Sequence, residues 1–167
     1  MAKLDINVGN DANDGTGDDL RAAFQKVNGN FSSIFPIVST FTPVLIGVSS
    51  AGAGTYTAQV GRYTKIYNLV YYYIHLAWSA HSGTGNMRIT GLPYTSLDTT
   101  NVTYFAPVMS SSLDGSSVIY GGDVIARVNN NASTIDLLYQ SSGNALSNVS
   151  MDTSASITIN GFFEITV

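Results

Sequence analysis

The chain has 167 residues, of which 44% are hydrophobic and only 11% charged, with a net charge of −4 and a pI near 4.7. A typical globular protein carries about 25% charged residues, so Ser, Thr, Asn and Gly must cover most of this surface, and the basic footprint that nucleic-acid binding requires is missing. The absence of cysteine excludes disulfides and thiolate chemistry.

Composition changes at Phe35-Pro36. Five of the eleven acids (Asp5, Asp11, Asp14, Asp18 and Asp19) and three of the seven basic residues (Lys3, Arg21 and Lys26) precede that point, and the remainder is nearly charge-free. The division expected is an N-terminal segment over 1–35, a linker over 36–41 and a second unit over 42–167. The start, Met1-Ala2-Lys3-Leu4-Asp5, lacks the apolar core of a signal peptide. No run approaches the roughly 20 apolar residues that cross a bilayer, so membrane insertion is not expected.

The first unit holds the best helix candidate. Asn13-Asp14-Gly15-Thr16-Gly17 cannot stay helical, and a helix is expected to begin just after it, with Asp18 as N-cap and Asp19 placing a second negative charge at the positive end of the dipole. Leu20, Phe24, Val27, Phe31 and Ile34 then recur at alternating steps of four and three, a heptad seam of about two turns of the pattern. Such a seam is commonly the buried face of a helix packed on its own domain. Here a helix of this length is marginal alone in water, Gly29 weakens it by about 1 kcal/mol relative to Ala, and two Phe on a polar segment need a partner. Copies of the same helix, or a groove on another protein, would supply one.

Pro36 and Pro43 end the helix and predict an extended linker. Short alternating runs follow. In Leu69–Ala80, Val70, Tyr72, Ile74, Leu76 and Trp78 share one face, and Leu69, Tyr71, Tyr73, His75 and Ala77 the other. Val124, Ala126 and Val128 form another set, as do Ile135, Leu137 and Tyr139, and then Ile157, Ile159, Phe163, Ile165 and Val167 with Gly161 interrupting. Turn clusters at 51–54, 82–86, 114–117, 129–131 and 141–144 separate the runs. The pattern predicts a mainly β protein, one short helix followed by an antiparallel sandwich or jelly roll of about eight strands. Tyrosines on both faces of one strand imply that its second face is partly covered, for which contact between subunits is a natural means.

No active site assembles from the sequence. His75 and His81 lack metal-binding spacing, and no Gly-x-Ser-x-Gly elbow singles out a nucleophilic serine. Glycoside hydrolysis needs two facing carboxylates; the second unit offers Asp98, Asp114, Asp123, Asp136, Asp152 and Glu164, with Asp123 and Asp136 conceivable as a pair if their strands are neighbours. Counted from Asp11, the glycine and glutamate of an EF-hand loop would fall at Thr16 and Ala22. Neither a metal nor a cofactor is expected. Trp78, Tyr94, Tyr104 and Tyr120 could stack on sugar rings, against the plainer expectation that they pack in the core or between subunits.

Ile6-Asn7-Val8-Gly9, Asn13-Asp14-Gly15-Thr16-Gly17-Asp18, Leu20-Arg21, Ala23-Phe24, Lys26-Val27-Asn28 and Asn30-Phe31 resemble the attachment segment of many tailed-phage tail-fibre and baseplate proteins. Gly61-Arg62-Tyr63-Thr64-Lys65-Ile66, Asn68, Val70 and Gly91-Leu92-Pro93-Tyr94 resemble a recurrent β-sandwich module of phage fibres and capsid appendages, with Tyr67 where glycine is frequent. These resemblances imply a non-enzymatic virion structural protein, assembled in the host cytoplasm. It would be a homotrimer held and docked by the seam, with Asn13, Asp14, Gly15, Thr16, Gly17, Asp18 and Arg21 forming the attachment loop and helix cap. The partners implied are tail or baseplate proteins and a host-surface glycan or protein. The alternatives are a capsid decoration protein and, more remotely, a polysaccharide-degrading enzyme.

Overall fold

The computed structural model describes residues 3–11, 14–113, 124–140 and 145–166. Among the described residues one helix, α1 (Leu20–Ile34), precedes ten strands: β1 (Ile37–Phe41), β2 (Val44–Gly47), β3 (Gly54–Ile66), β4 (Leu69–His81), β5 (Met87–Thr90), β6 (Tyr104–Ser111), β7 (Val124–Val128), β8 (Ile135–Gln140), β9 (Leu146–Asn148) and β10 (Ala155–Glu164). The expected mainly β architecture, a helix ahead of an antiparallel β-sandwich, is observed.

The strands follow one curled path, β1-β3-β4-β10-β6-β7-β8-β5-β2, with β9 beside β8. All the pairings are antiparallel. The corner of the path is β6: Tyr104–Pro107 pair with β7, whereas Val108–Ser111 pair with β10. Pro107, which has no N–H to give to a ladder, stands where the strand changes partners.

Between the two halves lies the core, and strict alternation fills it. From β4, Val70, Tyr72, Ile74, Leu76 and Trp78 are all buried, and Ile157, Ile159 and Phe163 of β10 join them. The opposing half contributes Leu45, Ile89, Ala126, Val128, Ile135 and Leu137. Burying each such aliphatic side chain stabilises the fold by about 1.5–3 kcal/mol. Gly161, the interruption in the last alternating run, has a packing reason: a Cβ there would lie 2.5 Å from the Tyr72 hydroxyl oxygen and 2.8 Å from Ala106 Cβ. The Tyr72 ring occupies the place that a side chain at 161 would take.

The segment foreseen as a linker is extended but not free, because Ile37–Phe41 pair with Phe41↔Gly61 through Ile37↔Lys65 of β3. His81 ends β4, buried, accepting from the Gly83 N–H at Nδ1 (2.9 Å) and thereby placing its Nε2 hydrogen toward the Leu45 carbonyl at 3.0 Å. The turn clusters at 114–117 and 141–144 lie outside the described residues.

Tyr67 occupies the two-residue turn of the long β3–β4 hairpin with φ +55°, a left-handed conformation that costs a residue with a Cβ about 1–2 kcal/mol. Tyr67→Gly is therefore expected to raise stability by about 1 kcal/mol in urea unfolding, whereas a loss would show that the half-exposed Tyr67 ring holds the turn.

Candidate functional site

The N-terminal unit is built around one loop and one helix. Asp14 organises the loop: its carboxylate accepts from the backbone N–H groups of Asn10, Asp11 and Thr16, each at 2.8 Å, and from the Thr16 hydroxyl at 2.8 Å. Those bonds, the Thr16 backbone first among them, hold the Asp14 carboxyl far below the usual carboxylate range. So many donors leave this oxygen pair organised as the hub of a turn. Gly15 turns the chain beside it at φ +73°, and Gly17 sits where a Cβ would come within 3.0 Å of the Asn7 carbonyl oxygen. Asn13 lies outside the described residues.

The helix cap is Asp19, one residue later than expected; its carboxylate accepts from the Ala22 N–H at 2.7 Å. Asp18 is released for a different task. It accepts from Lys26 Nζ at 2.7 Å and from the Asn7 N–H at 2.8 Å, and these bonds, the lysine first, lower its carboxyl. Arg21 is exposed in the first turn.

Residues 4–7 fold back along one side of α1. The Asn30 side chain closes a two-bond ring with the backbone of Leu4, accepting from its N–H at 2.8 Å and donating to its carbonyl at 2.9 Å. Lys26 Nζ also donates to the Asp5 carbonyl at 2.9 Å. Gly29, a liability for an isolated helix, makes room for this arm: a Cβ there would lie 3.0 Å from Leu4 Cδ1.

The arm covers the side of α1 that carries Lys26, Gly29 and Asn30, and leaves the heptad seam open. Leu20 is 75% exposed, Phe24 58%, Phe31 51% and Ile34 60%, with Val27 half-buried between them. Phe35, Ile37 and Val38 extend the exposed apolar stripe past the helix end. The seam expected from the sequence is therefore on one face, and the described residues provide no partner for it.

In the sandwich, Asp136 has a structural place. Asp136 is buried on β8 and accepts from Arg88 Nε at 2.7 Å, Arg127 Nη2 at 3.2 Å and Asn129 Nδ2 at 3.0 Å. Register brings both arginines directly opposite it. Burial pushes the Asp136 carboxyl up, but the two guanidinium groups outweigh burial and hold it below its usual value. Asp123, its conceivable catalytic partner, lies outside the described residues. Among the described residues no group of three or more His, Asp or Glu could hold a metal ion.

The aromatics singled out for sugar stacking are mostly turned inward. Trp78 is buried and donates to the Asp152 carbonyl at 3.1 Å; Tyr94 packs edge-on against Tyr63 at 5.5 Å between centroids; Tyr104 packs against Phe162 and Phe163; Tyr120 is outside the described residues. Three half-exposed rings, Tyr71, Tyr73 and Phe162, share the outer face of the β3–β4–β10 sheet. For Tyr71 and Tyr73 the signal was the second face of the β4 alternation, which the described residues leave uncovered.

No protein-family model matches the chain, and no curated protein does. Among solved structures the fold is similar to that of the Dettilon tailspike protein, with a TM-score of 0.60 and 22% identity over 77% of this chain. The chain spans about a quarter (24%) of the length of that protein.

The Asp136 cluster generates a pH-dependent expectation. Because the folded carboxyl titrates below its ordinary value of 3.8, its stabilising contribution is complete above about pH 4 and is lost as pH falls through the lower folded value. Both arginines are about one-third exposed (36% and 29%), which moderates the effect, so Asp136→Asn is expected to cost about 1–3 kcal/mol at neutral pH. In urea titrations the variant should also show a shallower decline below about pH 4; an unchanged acid sensitivity would contradict this role.

Proposed function

We propose that the protein is a tail-associated structural component of a bacteriophage particle, anchored through residues 1–35 and presenting the sandwich of residues 42–167 to the host surface. The observation that carries this reading is the division of the N-terminal unit. An arm closes one side of α1, and a separate face offers five seam residues, Leu20, Phe24, Val27, Phe31 and Ile34, to something outside the chain.

The heptad spacing supports three copies sharing the seam, since a helix of this length gains stability by burying that stripe against copies of itself. The end of the bundle, with the loop around Asp14 and the exposed Arg21, would then meet a tail or baseplate protein. The fold similarity to a tailspike protein supports a tail rather than a capsid position. Adsorption in this reading is non-catalytic: weak contacts by each sandwich are multiplied by the number of copies on one particle.

Phe24→Asp places a charge in the middle of the seam without touching the sandwich. The variant is expected to keep the far-UV spectrum and the thermal midpoint of the sandwich, to sediment as a monomer where the native chain is a trimer, and to be absent from purified particles. Normal incorporation of Phe24→Asp would overturn the anchoring role.

A further inference from the structure

We propose that the outer face of the β3–β4–β10 sheet is a carbohydrate-binding platform that accepts two or more consecutive sugar units of a surface polysaccharide. Register places the side chains of this face in rows across the strands. Thr64, Tyr71 and Phe162 form one row, Arg62, Tyr73 and Asn160 the next, and Val60, His75 and Thr158 the third. An aromatic row thus adjoins a row of hydrogen-bonding groups, which is the pairing a pyranose needs: C–H faces for the rings, hydroxyls for the polar groups.

Two shallow, open hollows lie on this face. One hollow of about 440 Å³ is lined by Arg62, Tyr71, Tyr73, Asn160 and Phe162, among others. A second, also about 440 Å³, is lined by Val60, Arg62, Tyr73 and His75. Arg62 and Tyr73 belong to both hollows, so an extended chain of sugars would lie along the strands and cross the sheet at this pair. Tyr71 and Phe162, with ring centroids 6.0 Å apart and planes tilted by 47°, form the wall of the first hollow.

The polar groups are unspent. The side chains of Arg62 and Asn160 make no hydrogen bond or ion pair with any described residue, whereas His75 is tied through Nδ1 to Thr158 Oγ1 at 3.1 Å. This bears on the choice between the two occupants that an aromatic sheet face invites. A second copy docked here would have to bring a carboxylate to the Arg62 guanidinium, which has no acid in its own row or the adjacent ones, because an unpaired buried charge is costly. A saccharide brings hydroxyls to Arg62 and Asn160, and a uronate unit brings a carboxylate that a guanidinium can bind through two hydrogen bonds.

This inference rests on the reading that the sandwich meets the host surface, yet it is tested without particles. The purified full-length chain is applied to an array of bacterial oligosaccharides, neutral and uronate-containing, and the strongest soluble binder is titrated by calorimetry to give a per-site affinity. The native chain is expected to bind, with Arg62→Ala and Phe162→Ala each weakening the affinity at least tenfold while leaving the thermal midpoint and sedimentation coefficient unchanged. A larger effect of Arg62→Ala on uronate-containing than on neutral glycans identifies the acidic sugar as the preferred unit. Absence of binding across the array, binding indifferent to both substitutions, or dissociation of the oligomer by either of them would overturn the proposal. Arg62→Ala should still enter particles but adsorb more slowly, so a failure of anchoring by Phe24→Asp and a failure of this platform are read separately.

Discussion

The division of apolar surface governs the whole molecule. Among the described residues the core lies between two sheet halves, with Val70, Ile74, Leu76, Ile157, Ile159 and Phe163 at no measurable exposure, and no residue of the helix belongs to it. The helix receives nothing in return: an arm tied by Asn30 and Lys26 closes one of its sides, and Leu20, Phe24, Phe31 and Ile34 are left in water. Apolar side chains aligned in a stripe and left uncovered are unfavourable in a free monomer. The N-terminal segment thus leaves an apolar surface open, which is the physical basis for the proposal that it serves assembly.

Much of this was legible in the sequence because it depends on periodicity. The two-residue alternation of Leu69–Ala80 identified the inner and outer faces of β4, and the four-three spacing from Leu20 to Ile34 identified the open seam. What escaped was set by chain segments far apart in sequence. Asp18 and Asp19 are equally suitable caps by residue type, and the choice falls on Asp19 because Asp18 is recruited by Lys26 and the Asn7 N–H. Likewise Ile37–Phe41, read as a linker because prolines flank it, finds β3 as a partner. Gly29 looked like a weakness of the helix until Leu4 was seen to occupy the space beside it.

The candidate surfaces were legible to different degrees for the same reason. A helical seam is local and can be counted, whereas the outer-sheet platform joins β3, β4 and β10, whose register no single-strand pattern reveals. Tyr71 and Tyr73 were assigned to the right face of β4, but their neighbours Arg62, Asn160 and Phe162 come from strands before and after it. Trp78 and Tyr94 drew attention as large rings, yet the alternation and the Tyr63 contact turn them inward. For binding, the chemical context of a ring matters more than its size.

Both surfaces converge on a polar account of the molecule, in which the helix end faces the particle and the sandwich faces outward. A cryo-electron microscopy reconstruction of the intact particle tests that arrangement most directly. The account predicts threefold density at the tail or baseplate, with the α1 bundle seated against a tail protein and the sandwiches distal, the β3–β4–β10 faces open to solvent. Density for the sandwich spread over the capsid lattice, or helices pointing outward with the sandwiches seated on the particle, would contradict it.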